Sequence, residues 1–292
     1  MIIVKLMGGL GNQMFQYAFG RHLQELNRAE LKFDTTEFNL TKAPPGIPLR
    51  KYDLDIFGIE VQVASGKEIR SMTKRVGLEP VDQVLDRFLG PKSGRIVELP
   101  VFHFVRERYE APDNSYLEGY WQSEKYFLDV EPTIRKEFTF VEPLAKRSEE
   151  LLTEIADSNA VCVNVRRGDF VVNDRHGWYG NEYFDKGAAI VGERMSDHQF
   201  FVFSDDIDWC RESLRFPRPT TFVDHSFAGR KFQDYLRLMA ACKHFIIPNS
   251  SFAWWAVWFN ENPERVVVAP KKWFNVPELD PRDLFQPDWI LI

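Results

Sequence analysis

Cysteine is scarce and scattered. Cys162, Cys210 and Cys242 are the only three in 292 residues, far apart and each in or beside an apolar run. No Cys-x-x-Cys pair exists, which argues against a structural zinc site, and buried, reduced thiols are the expected state. Positive charge is not in excess either. A net charge of -6 argues against a general nucleic-acid binder, which would carry a basic face. It leaves room for an anionic small molecule, which two arginines and a few backbone amides can hold. No uninterrupted apolar run approaches the roughly 20 residues of a bilayer-spanning helix. The start, MIIVKLMGGLGNQ, passes from a short apolar strand into a glycine turn without the basic opening of a signal peptide. The expectation is a cytoplasmic protein with no transmembrane segment; peripheral contact with a membrane surface stays open. Internal repeats and low-complexity tracts are absent as well.

What apolar material there is comes in short runs. Met1 to Met7 reads as a β-branched strand, Gly8 to Gly11 as a tight turn, and Asn12 to Asn27 as a helix with Met14, Phe15, Ala18, Phe19 and Leu23 on one face. Leu31 to Phe33 reads as a second strand, and the proline-bearing segment 41–48 as a loop. Between residues 50 and 115 only amphipathic stretches at 66–75 and 81–89 and an apolar run at 101–105 stand out. Beyond that the pattern is regular. Apolar runs at 160–165, 200–203, 221–223, 245–247 and 265–269 alternate with helical patterns at 182–194, 207–214, 231–242 and 251–260. That alternation predicts a parallel, doubly wound sheet. A seam near 140–150 gives two α/β domains, 1–145 and 146–292. Two such halves facing each other would hold a ligand between them, at the carboxyl ends of their strands.

Four clusters of chemistry-bearing residues fall at strand ends. The turn Gly8 to Gln13 lets backbone approach a phosphate, and the helix after it offers free N–H groups. Asp34 sits where a ribose-binding acid would be, yet Met14 occupies the third glycine position of a dinucleotide fingerprint, which argues against NAD. A plain βα turn is the bland alternative. In Asn164-Val165-Arg166-Arg167-Gly168-Asp169 an arginine pair follows an apolar strand. Guanidinium binds phosphate bidentately and stays charged, and Asp169 can fix an arginine or take a proton; a surface salt-bridge cluster is the rival. Ser204-Asp205-Asp206-Ile207-Asp208 offers Asp205 as an acceptor for a nucleobase edge or ribose. Helix capping competes, as does an Asp-x-Asp metal motif at Asp206 and Asp208. Asn249-Ser250-Ser251-Phe252 opens a Trp-rich helix and can form an anion site or an ordinary cap; Trp254, Trp255 and Trp258 are expected in the core. Together the clusters suit a nucleotide diphosphate better than a protein partner.

With GYWQSEKYF (119–127), VRRGDF (165–170), FSDD (203–206) and LMAACKHFIIPNSSFAWWAVWFN (238–260), the stretch GGLGNQMFQYAFG (8–20) makes the sequence resemble the α-1,2-fucosyltransferase family of bacteria and of animal blood-group enzymes. The segments run in the family's order over most of the chain. The resemblance implies an α/β, GT-B-like fold, with an acceptor-side N-terminal domain and a C-terminal domain that binds GDP-fucose. It also implies an inverting transfer, without a metal or other cofactor, to the 2-hydroxyl of a galactose-terminated oligosaccharide. Carried over by position, Arg166 would hold the β-phosphate, with Arg167 and Asp169 ordering the loop around it. Asp205 would accept from guanine or ribose; Ser250, Ser251 and Phe252 would cradle the phosphates. Gly11, Asn12 and Gln13 would close over the diphosphate and fucose. One departure stands out: the family's usual His is Asn164 here, whose amide can still donate and accept. The general base stays open among Asp169, Asp34 and Glu118. Two rival functions remain, a metal-dependent glycosyltransferase using Asp206 and Asp208 and a non-catalytic nucleotide-sugar binder.

Overall fold

Short β-branched and aromatic runs that are buried on both faces have one stable arrangement, a parallel sheet covered by helices. The computed structural model, which describes residues 1–42, 48–74, 81, 94–98, 101–171 and 177–292, has two such sheets. Contacts divide the chain into two compact units. Unit 1 comprises Met1–Pro44, Leu49–Thr139 and Glu278–Leu284; unit 2 comprises Pro45–Pro48, Phe140–Pro277 and Phe285–Ile292. The change of unit thus falls at residues 139 and 140, and a short piece near the end of the chain belongs with the first unit. Two α/β units, each on a parallel sheet, are the fold class the sequence predicts.

Unit 1 carries β1 (Ile2–Lys5), β2 (Leu31–Asp34), β3 (Arg95–Val97) and β4 (Tyr116–Glu118) in the order β2-β1-β4-β3, all parallel. Helix α1 (Leu10–Asn27) follows β1 and is buried over its first three turns, including the amides of Gln13 and Gln16. Met14 is itself fully buried. The close helix–strand approach that a third glycine would give near the turn occurs at Gly20 instead, where an added Cβ would lie 3.2 Å from Val4 and Leu31. Helix α2 (Gly66–Thr73) begins with a capping box: Ser65 Oγ accepts from Glu68 N, and the Glu68 carboxylate accepts from Ser65 N. Ser65→Ala removes one half of that exchange and is expected to cost about 1 kcal/mol, measured as a fall in the urea midpoint of unit 1. The amphipathic stretch expected at 81–89 and the core of the 41–48 loop lie outside the described residues.

Unit 2 carries β5 (Ala160–Val165), β6 (Gln199–Ser204), β7 (Thr220–Val223), β8 (His244–Ile246), β9 (Val267–Ala269) and β10 (Ile290–Leu291) in the order β10-β9-β8-β5-β6-β7, again all parallel. Read from the other edge this is 3-2-1-4-5-6, the doubly wound order, whose winding reverses between β5 and β8. The expected helices appear at Asn181–Arg194, Ile207–Ser213, Gln233–Ala241 and Ser251–Phe259. The last is apolar all round, as a fully enclosed helix must be, and Trp254, Trp255 and Trp258 are in the core. All three cysteines are buried and free; burial pushes the Cys210 thiol up to about 11. Among the described residues no helix is long and apolar enough to cross a membrane.

Candidate functional site

In a doubly wound sheet the residues just beyond the strands that flank the reversal border the ligand crevice. In unit 2 those strands are β5 and β8. Arg166 and Arg167 follow β5, and Asn249, Ser250, Ser251 and Phe252 follow β8. The adjacent end of β6 supplies Asp205 and Asp206. Asp205 grips the arginine pair from both oxygens: Oδ2 accepts from Arg166 Nη1 at 2.6 Å and Oδ1 from Arg167 N at 2.9 Å. Arg167 Nε donates to Asp206 Oδ2 at 3.1 Å. The Arg167 guanidinium lies 4.0 Å from the Trp209 ring and 4.4 Å from the Trp178 ring, and its Nη1 is buried with no partner among the described residues. Arg166 stacks 5.2 Å from Phe170. These contacts hold two positive charges at a strand end in fixed orientation, as electrostatic catalysis at a phosphate requires.

The remaining predicted residues of unit 2 have the following places. Asp205 serves the arginines, so any ligand group that reaches it shares lone pairs with Arg166 and Arg167. Asn164 is buried within β5, and its amide nitrogen donates to Phe203 O at 3.2 Å on the neighbouring strand. Asp206 caps the helix at Ile207–Ser213 by accepting from Trp209 N, while Asp208 is exposed and pairs with Arg211 at 3.3 Å. Both carboxylates of the Asp-x-Asp motif are thereby engaged, and among the described residues no cluster of three or more His, Cys, Asp or Glu forms that could hold a metal. Ser250 caps the Ser251–Phe259 helix through Ala253 N. The side chain of Asp169 lies outside the described residues.

In unit 1 the turn Gly8–Gln13 follows β1, which lies between β2 and β4 in the sheet. Gln13 is wholly buried in holding it: its Nε2 donates to Gly8 O and Lys51 O, and its Oε1 accepts from Asp53 N. Asn12 Oδ1 accepts from Gln122 Nε2 at 2.8 Å, and Glu37 accepts from Gly8 N at 2.8 Å. Of the two unit 1 carboxylates considered for the base, Asp34 is buried and accepts from the Tyr116 hydroxyl at 2.7 Å. Burial raises the Glu118 pKa, but ion pairs with Arg95 and Lys5, each at 2.8 Å, outweigh it and hold the group below its ordinary value.

Sequence reasoning missed Gln16, Glu37, Glu98, Gln122, Trp178 and Trp209. Gln122 lies inside a quoted segment, but its partner is 110 residues away, and nothing local in the sequence pairs them. Glu98 is wholly buried and accepts from Tyr120 N and Trp121 N. Burial drives its pKa up against those two amides and Arg108, to about 7; Tyr126 is the other titratable group acting near it. A carboxyl raised from 4.5 binds its proton more tightly folded than unfolded. Its stabilisation is therefore full below about pH 4.5 and is lost as pH rises through about 7, a change of about 3 kcal/mol. Urea midpoints of the protein and of Glu98→Gln should diverge across that window.

The comparisons with known proteins agree on one family. A model of glycosyl transferase family 11 matches residues 100–292. An α-1,2-colitosyltransferase of Escherichia coli is 31% identical, covering 100% of this chain and 98% of that protein. The O-antigen biosynthesis glycosyltransferase WbnK of E. coli is 27% identical over 92% of this chain and 93% of its own. The mouse galactoside 2-α-L-fucosyltransferase Sec1 is 26% identical, over 99% and 73% respectively.

Proposed function

Because the chain belongs to glycosyl transferase family 11, a family of glycosyltransferases, we propose that it transfers L-fucose from GDP-fucose to the 2-hydroxyl of a galactoside, with inversion and without a metal. The observation that carries this reading is the arginine pair at the reversal point of unit 2, held by Asp205 and Asp206. In the transfer the bond from the fucose anomeric carbon to the β-phosphate oxygen breaks while the acceptor oxygen bonds to that carbon from the opposite face. Negative charge grows on the phosphate, where Arg166 and the amides at Ser250 to Phe252 meet it. Arg167 and Asp205 keep Arg166 in place. Gly11, Asn12 and Gln13 belong to the sugar and diphosphate side of unit 1. Asp169 takes the proton, since Asp34 is occupied by Tyr116 and Glu118 is weakened by two cations.

A second donor is favoured by one specific observation, the full-length similarity to a colitosyltransferase. Colitose is fucose without its 3-hydroxyl, so the two donors separate on one hydrogen-bonding group. A site built to bind that hydroxyl rejects the deoxy sugar by about 10⁴-fold. Comparing kcat/KM for GDP-fucose and GDP-colitose with lactose as acceptor tests the proposal. Preference for GDP-fucose and an α-1,2 linkage in the product support it; preference for GDP-colitose overturns the fucosyl assignment.

A further inference from the structure

In the sheet of unit 1, β1 and β4 are parallel neighbours, so the turns after those strands, Gly8–Gln13 and Gly119–Gln122, leave the same carboxyl edge side by side. Buried side chains bind the two turns together. Gln16 accepts from Met7 N at 2.9 Å and donates to Gly119 O at 3.0 Å, while Gln122 donates to Asn12. Glu98, the first residue past β3, completes the arrangement. One of its oxygens accepts from Tyr120 N at 2.5 Å and the other from Trp121 N at 2.9 Å.

That turn is held at a cost. Trp121 is fully buried at φ 53, a left-handed conformation that a bulky residue keeps only where its surroundings impose it. Its indole N–H has no partner among the described residues. Gly119 has no room for a side chain, since a Cβ there would lie 2.4 Å from Glu98 Cβ and 2.8 Å from the Trp121 ring. A wholly buried carboxyl is a further expense. Strain and a buried carboxyl concentrated on one turn at the carboxyl edge of the sheet, where α/β folds bind their ligands, mark a conformation kept for function.

We infer that Glu98 is a positioning residue: its carboxyl clamps the Gly119–Gln122 turn and, through Gln122 and Asn12, locks it to the glycine turn, so that Tyr120 and Asn12 meet the reacting sugars from one preformed surface. This rests on the reading of unit 1 as the sugar-binding side of a fucosyltransferase. Gln at position 98 sets an amide donor against one of the two N–H groups. Glu98→Gln is expected to speed amide hydrogen exchange at Tyr120 and Trp121 at least about tenfold and to lower kcat with GDP-fucose and lactose by about 10²-fold. GDP affinity, which on the proposed reading comes mainly from unit 2, falls by much less than kcat does. Glu98→Asp, which keeps two acceptor oxygens, regains part of the kcat. Gln122→Ala leaves Glu98 intact and carries the test if Glu98→Gln does not fold; exchange then rises at Asn12 and Gln13, and kcat falls. A folded Glu98→Gln or Gln122→Ala protein with kcat within twofold of the parent, or with unchanged exchange at the turns, overturns the inference. If the parent protein does not use GDP-fucose, the fucosyl reading fails separately. Exchange then decides: loss of protection confined to the two turns upholds the clamp, and unchanged protection overturns it.

Discussion

Arg166→Ala is expected to lower kcat by about 10²-fold or more, because on the proposed reading it deletes a preorganised donor aimed at the phosphate where charge develops. Stability should hardly move. The Arg166–Asp205 pair is 2.6 Å long but partly solvated, with 27% and 19% of the two side chains exposed, and such pairs contribute about 1 kcal/mol or less. Asp205 also keeps its bond to Arg167 N. Arg166→Lys retains the charge but not the planar fork, so it falls between the two. Steady-state kinetics at saturating GDP-fucose, with thermal unfolding as the control, separate the effects. A folded Arg166→Ala enzyme with near-parental turnover would remove the phosphate role from this residue.

Trp255→Ala is expected to cost about 3–5 kcal/mol, a large share of the roughly 5–15 kcal/mol that holds a domain together. Trp255 is fully buried and meets Trp254 and Trp258 edge-on, with ring centroids 5.1 and 4.9 Å apart. The rings packed edge-on around it relax only partly into the void. The same helix carries Ser250 and Ser251 at its start, which couples packing to the proposed phosphate site. A urea titration should show a lower midpoint with the slope preserved, and GDP should partly restore it, since a ligand that binds only the folded state stabilises it. A loss under 1 kcal/mol would mean that the helix is not packed as described.

Unit 2 was legible in the sequence because its strands are buried on both faces. Val161 to Val163 and Phe200 to Phe203 read as continuous apolar runs, and each is followed within three residues by charge, at Arg166 and Asp205. Unit 1 was legible at β1, α1 and β2 and, as an amphipathic stretch at 66–75, at α2. Strand β4 is three residues long and ends in the ion-paired Glu118, so it has neither length nor alternation to distinguish it. The role of Asp205 was half legible: its position was evident, but its grip on two arginines depends on β5 and β6 lying side by side. Glu98 was illegible. A glutamate between Val97 and Leu99 looks like ordinary surface charge, and only the fold brings Tyr120 and Trp121 onto it. Short-range pattern finds strands and caps; pairings such as Gln122 with Asn12 across 110 residues exist only once topology is set.

The account stands most directly on one measurement, turnover of GDP-fucose with lactose in the presence and absence of EDTA, following GDP release and product linkage. It predicts an α-1,2-linked fucosyl product formed at the same rate with and without the chelator. Turnover abolished by EDTA and restored by a divalent cation, or a protein that neither binds nor consumes GDP-fucose, would contradict it.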